Sequence, residues 1–257
     1  MDMAASSFEL CEFFHLTVLR HLALRLSGRA YAVKGGICLR FFHRSGRLSH
    51  DMDLDVLAQV RVKTLQGIVD SVLQSHALTA ALGTRGIRNI QTTRPKQTDT
   101  TQRWKVALRS SDDVETHTKI EFSRRRAKLD CCRGVPDAEL LRNYAIVPFA
   151  VQFYGVADMV EQKIRALCAL SLHAARDLFD LHHLLTFCAL EPETVSSIVD
   201  AKTVEQAIEK AGAFSLKDFR AQVTPYLTES MQSLYDNADA FDKLKDVVEQ
   251  ALTRMIP

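Results

Sequence analysis

The sequence predicts an α+β protein, with an N-terminal domain of helices and strands over residues 1–135 and a helical domain over residues 136–257. Two observations carry this. Before residue 135, apolar residues alternate with polar ones at Met52–Val56, Trp104–Leu108 and His117–Phe122, the period of a strand buried on one face. After Gly134-Val135-Pro136 the apolar period is helical almost throughout.

In chain order, Phe8–Leu26 reads as a helix with a wide apolar stripe that includes Leu10, Phe13, Phe14, Val18 and Leu22, ended by Ser27-Gly28. Tyr31–Val33 is a short strand, and Lys34-Gly35-Gly36 turns the chain into a helix over Ile37–Phe42. Asp51–Val56 is a strand, and Lys63–Leu82 one amphipathic helix. Residues 84–98 are polar and rich in threonine, which predicts a loop or irregular hairpin. The strands around Trp104 and Ile120 are joined by a turn at Ser110-Ser111-Asp112-Asp113. Helices are expected at Val156–Leu170, Ala175–Phe187, Glu193–Ala211, Leu216–Met231 and Phe241–Met255.

Composition excludes several classes. A chain of 257 residues can bury a core without disulfide or zinc staples. With 47% hydrophobic and 25% charged residues it is not a disordered chain. Arg20, His21 and Arg25 break one apolar stretch, and Glu161, Lys163 and Arg165 break another, so no bilayer span is expected. Met1-Asp2-Met3 lacks the basic start of a signal peptide. The six cysteines form no C-x-x-C pair, so a reduced, cytoplasmic protein without structural zinc is expected.

Charge is uneven beneath a net +2. Arg85, Arg88, Arg94, Lys96, Arg103 and Lys105 stand against the single acid Asp99, and Arg124-Arg125-Arg126 with Lys128 form a second cluster. Such clusters suit either a polyanion or a solvated loop, and both readings stand.

The acidic strand is the most informative segment. Asp51, Asp53 and Asp55 fall at i, i+2 and i+4, so a strand puts them on one face and Met52, Leu54 and Val56 on the other. Clustered carboxylates raise one another's pKa or call for a cation, and magnesium prefers hard oxygen ligands. The alternative is an edge strand kept soluble by its acids. The glycine pair before a helix suits a phosphate cradle or a plain turn. Lys119 and Glu121 share one face of their strand, and if that strand neighbours the acidic one, Glu121 joins the same site. Three carboxylates, magnesium and a triphosphate make a phosphoryl-transfer site.

These residues resemble a known family. Val33-Lys34-Gly35-Gly36-Ile37-Cys38-Leu39, followed by Arg47-Leu48-Ser49-His50-Asp51-Met52-Asp53-Leu54-Asp55, is similar to the opening signature of the AbiEii/MenT nucleotidyltransferase toxins. Lys119-Ile120-Glu121 resembles the family's later acidic strand. Lys163 with Ala166-Leu167, and Arg176-Asp177-Leu178-Phe179-Asp180-Leu181, resemble its helical signature. Ile37 departs from the family's usual hydroxyl residue, and Leu48 from its usual aromatic.

The resemblance implies a DNA polymerase β-like nucleotidyltransferase core with an appended C-terminal helical domain. It implies transfer of a nucleotide from an NTP to an RNA acceptor, the tRNA 3′ end, by a toxin paired with a cognate antitoxin. Asp51, Asp53 and Glu121 would hold Mg2+, and these three with Lys163 would be the catalytic set. Lys34, Gly35, Gly36, Arg47, Ser49, Lys119, Lys163, Arg176, Asp177 and Asp180 would form the nucleotide-binding set, in which Lys163 faces the triphosphate and Asp177 and Asp180 orient the basic groups. Asp55 would ligate or support. Arg47 is open to a second reading as a buried structural ion pair. Other acceptors, a protein or a small molecule, and a silent RNA- or antitoxin-binding protein remain the alternatives.

Overall fold

The structure is a computed structural model, and it describes residues 7–57, 59–125, 131–169, 174–190, 194 and 198–256. The chain divides into two compact units. The first comprises residues 1–42 and 48–154, and the second comprises 43–47 and 155–257.

The first unit is built on one seven-stranded sheet. Its strands are β1 (Tyr31–Lys34), β2 (Asp51–Val56), β3 (Ile87–Gln97), β4 (Thr101–Ser110), β5 (Glu115–Ser123), β6 (Cys131–Gly134) and β7 (Val151–Tyr154). They lie in the order β3-β4-β5-β2-β1-β7-β6. The β2–β5 and β1–β7 pairs are parallel and the others antiparallel. Helix α1 (Ser7–Arg25) packs on α3 (Val62–Leu73), α4 (His76–Gly83) and β5, while α2 (Gly35–Phe42) packs on β1, β2 and β7. A short α5 (Ala138–Asn143) precedes β7.

The alternation seen in the sequence sets the layers. Met52, Leu54, Trp104, Val106, Leu108, Ile120 and Phe122 are all buried, and their odd-numbered neighbours face the other way. Trp104 is fully buried against the edge of Phe122, with ring centroids 6.0 Å apart, and its indole N–H donates to Asp70 on α3 at 2.8 Å. It is a core residue. Helix α1 is buried on more than one stripe, including Glu12 and His15. A helix apolar most of the way round is one enclosed by its neighbours. Its Glu12 answers Arg40 at 2.5 Å and the Tyr144 hydroxyl at 2.9 Å.

In the first unit one expectation is narrowed and two change. Residues 87–97 take the hairpin side of their reading: they form edge strand β3, paired antiparallel with β4 through two register shifts, and only Ile87 is buried there, so no apolar alternation marks it. The single helix expected at 63–82 is two, parted where Ser75 caps α4 by accepting the Leu78 N–H. Strand β7 and helix α5 lie past residue 135, and the second unit resumes at Gly155. Four residues are too few to show a strand period.

The second unit is helical: α6 (Val156–Cys168), α7 (Ala175–Phe187), α8 (Ala201–Ala213), α9 (Leu216–Gln222), α10 (Glu229–Tyr235) and α11 (Ala238–Thr253), with a 3-10 turn at Thr224–Tyr226. Helices α6 and α11 both pack on α7 and α8. Phe179, Phe219, Tyr235 and Phe241 form an aromatic core. Leu170, Glu193, Arg126 and Lys128, named above, lie outside the described residues. Among the described residues, no helix is long and apolar enough to cross a membrane.

Candidate active site

The sheet register assembles the first group of candidates. Asp53 stands directly opposite Glu121 on β5 and Lys34 on β1, and Glu121 stands opposite Arg103 on β4. A row Arg103–Glu121–Asp53–Lys34 thus crosses four strands, with two carboxylates between two cations. A second row runs Thr93–Lys105–Lys119–Asp51.

Within these rows the acids differ. Asp51 accepts from the Lys119 ammonium at 3.0 Å. Glu121 accepts from the Arg103 guanidinium at 2.6 Å. Asp55 is buried, accepts from Lys34 at 2.7 Å, and is also bonded by the Tyr154 hydroxyl. Among the described residues no cation closes on Asp53 to ion-pair distance. Burial pushes the Asp53 carboxyl up from its ordinary pKa; Lys119 and Lys34 oppose this, while Asp51 and Glu121 add to it. Burial works to lower the Lys119 ammonium, yet Asp53, Asp51 and Glu121 outweigh it and hold that pKa high.

The glycine turn is built into this group. Strand β1 passes straight into α2 at Gly35, whose φ of +67° is left-handed. A side chain on Gly35 would begin 3.2 Å from Asp53 Oδ2. The bare backbone of Gly35, at the start of α2, therefore lies against the central carboxylate. The Ser49 hydroxyl donates to the Asp51 carbonyl at 3.1 Å, fixing the start of the acidic strand.

Metal fit follows from the donor set. Among the described residues no three His, Cys, Asp or Glu side chains converge as a preformed metal cage. Asp51, Asp53 and Glu121 supply oxygen donors alone, the set magnesium prefers, and Asp51 and Glu121 are each held by a basic partner.

The second group lies within the helical unit. The Lys163 ammonium sits 2.7 Å from both Asp177 and Asp180. Arg47 makes a two-pronged bond to Asp180, at 2.7 and 2.8 Å. Burial works against the charged Asp180, but Arg47 and Lys163 bring its pKa down to about 2. Burial likewise opposes the Lys163 charge, and Asp180 and Asp177 raise its pKa regardless. The ammonium of Lys163, expected to face triphosphate, is thus already bonded twice. Arg47 matches the buried-ion-pair reading. Arg176 is exposed and lies over the Tyr226 ring at 5.5 Å. Sequence reasoning missed Arg103 and Tyr154 as partners of the acids. Arg103 has the right strand parity, and Tyr154 offered no signal.

Comparison with known proteins places the chain in a family. The AbiEii family, described as a nucleotidyl transferase AbiEii toxin of a type IV toxin–antitoxin system, matches residues 17–251. The structure of JHP933 from Helicobacter pylori is similar, with TM-score 0.60, 17% identity, and 98% of this chain and 95% of that one covered. MenT4, a nucleotidyltransferase toxin from Mycobacterium tuberculosis H37Rv, gives TM-score 0.63 at 16% identity, covering 98% and 94%. Identities this low carry the fold: a DNA polymerase β-like nucleotidyltransferase core with a C-terminal helical extension. A search of curated proteins gives no match. Matched over most of its length, the chain belongs to the AbiEii nucleotidyltransferase toxin family and is a nucleotidyltransferase by class.

Proposed function

We propose that the protein is a magnesium-dependent toxin that moves a nucleotide from an NTP onto RNA, at the 3′ end of tRNA, in the cytoplasm and under the control of a cognate antitoxin. The observation that supports this best is the row in which Asp53 faces Glu121 beside the bare backbone of Gly35. Paired carboxylates on neighbouring strands next to a glycine-opened helix suit a triphosphate better than any apolar ligand.

In this reading Asp51, Asp53 and Glu121 hold magnesium, and Asp55, clasped by Lys34 and Tyr154, supports them. Bound there, magnesium screens charge on the triphosphate and on the oxygens that gain charge. Lys34 and the first N–H groups of α2 receive phosphate. Glu121 orients the acceptor 3′-hydroxyl and takes its proton. That oxygen bonds to the α-phosphorus as the α–β bridge breaks, and pyrophosphate leaves from the opposite side. We assign Arg47, Lys163, Asp177 and Asp180 to bracing the helical unit, because their charges are matched to one another.

The test incubates purified protein, magnesium, total tRNA and each labelled NTP in turn, beside Asp53→Ala of confirmed fold. Label on tRNA that vanishes with the variant and with EDTA is the expected result. Label on protein or on a small molecule instead would overturn the acceptor assignment, and no transfer to any acceptor would overturn the enzymatic role of these acids in this chain.

A further inference from the structure

A cavity of about 460 Å³ opens on the exposed face of β3, β4 and β5, within the first unit, and one end of it is walled by Asp51. That volume lies within the roughly 300–1,000 Å³ usual for ligand pockets. Its floor is Ala107, whose small side chain leaves room between the longer residues around it. Thr93, Lys105, His117 and Lys119 form its sides.

The charges there are not explained by folding. Lys105 stands directly opposite Lys119 across β4 and β5, with Thr93 as its neighbour on β3. Like charges directly opposite each other on a sheet destabilise it. Lys119 is answered by Asp51, and His117 by Glu115 at 3.2 Å, but among the described residues no carboxylate pairs with Lys105. An exposed lysine facing another lysine, over an alanine floor, beside a hydroxyl and an imidazole, is an arrangement that an anion with a flat neighbour would complete.

Position selects the anion. Glycine-opened α2 follows β1, on one side of β2, while the cavity lies on the other side, over β5, β4 and β3. In-line transfer needs the attacking oxygen and the departing pyrophosphate on opposite sides of the α-phosphorus. With triphosphate at α2, the acceptor must come from the cavity side. Two strand spacings of about 4.8 Å separate β4 from β2, a gap that one nucleotide of extended strand can bridge.

We propose that this cavity is the acceptor subsite: it seats the last phosphodiester of a single-stranded RNA 3′ end on Lys105 and Thr93, with the terminal sugar and base over Ala107, and so delivers the 3′-hydroxyl to Asp51, Asp53 and Glu121. The proposal rests on the RNA-transfer reading above and adds to it where the acceptor lies.

Two variants test it with full-length protein and tRNA. Lys105→Gln removes the charge, and Ala107→Trp fills the cavity. Both should raise the KM for tRNA at least fivefold with kcat within about twofold, while the affinity for NTP stays level. Lys105→Gln should also lower the slope of log affinity against log salt by about 0.7, one single-strand phosphate contact. Folding of each is checked by circular dichroism, and the charge variant alone suffices if the tryptophan is not tolerated. If wild-type protein labels tRNA and the variants keep its KM and salt slope, the cavity is not the acceptor subsite and the transfer reading survives. If wild-type protein neither binds nor labels RNA, the transfer reading falls, and this inference with it.

Discussion

Arg47 and Asp180 are 133 positions apart in sequence and meet through two buried hydrogen bonds of 2.7 and 2.8 Å. Asp180 also takes the Lys163 ammonium, so one fully buried carboxylate answers two cations. The pair ties the short segment 43–47, which follows α2, to helix α7, and the Arg47–Leu227 bridge and the His183 bond to the His43 carbonyl tie it further.

Breaking this pair should unfold the helical unit before it touches chemistry. Asp180→Asn leaves Arg47 and Lys163 short of a counter-charge and is expected to cost about 3–5 kcal/mol. At this chain size that is a fall of roughly 10 °C in Tm. Arg47→Met combined with Asp180→Leu should recover most of it, since apolar replacement of a buried pair is often neutral and Asp177 still answers Lys163. Thermal melts of the single and double variants check this. A double variant as unstable as Asp180→Asn would show that packing, not charge, is what matters here.

Stability should fall in mild acid because of His15. It is fully buried on α1, and its Nε2 lies 2.7 Å from the Thr118 hydroxyl, which itself donates to the His50 carbonyl. Nε2–H is therefore the donor, and the ring is neutral. Burial, with a smaller push from His50, brings its pKa down to about 3 from 6.5. A depressed folded pKa means the stability is whole above 6.5 and is lost as pH falls toward 3, at up to about 1.4 kcal/mol per unit. Denaturant titrations at pH 7 and pH 5 should show this loss, and His15→Gln should lessen it by the His15 share, the remainder coming from His182, whose burial lowers its pKa to about 4, and from His21.

The acidic strand β2 was legible because its signal is local. Acids at i, i+2 and i+4 announce a face, and Lys119 and Glu121 share a parity that strand pairing needs only to align. The helical half was legible from its period. What escaped was set by partners distant in sequence. Nothing near Arg103 tells that β4 will place it against Glu121 rather than against RNA, so the basic run read as one cluster. Strand β3 could be read only as loop or irregular hairpin, because an exposed edge needs no apolar alternation. Tyr154 escaped because β7 is short and lies among helices. Lys163 resembled a nucleotide contact oriented by Asp177 and Asp180, and the fold shows both acids closed on its ammonium.

Gly35→Ala should separate the position of Asp53 from global stability. The left-handed φ of +67° costs an L-residue roughly 1–2 kcal/mol. The new Cβ would also begin 3.2 Å from Asp53 Oδ2 and turn that carboxylate aside. A Tm lowered by a few degrees together with nucleotide transfer lowered more than tenfold is expected. If Tm falls and transfer does not, the backbone at Gly35 does not set where Asp53 points.

Asp55 decides how far the acidic site extends along β2. Its carboxylate is buried and taken on one oxygen by Lys34 and on the other by Tyr154, so both oxygens already have protein donors. Asp53, one row away, carries no such partners. Tyr154→Phe should therefore lower manganese affinity and transfer by about 10–100-fold, the usual effect of losing an outer-shell partner, while leaving the metal stoichiometry unchanged. Asp53→Asn should abolish saturable metal binding altogether. Calorimetric titration of manganese into both variants checks the pair. An Asp55→Asn protein that behaves like Asp53→Asn, rather than like Tyr154→Phe, would make Asp55 a ligand and would require Lys34 and Tyr154 to release it when metal arrives.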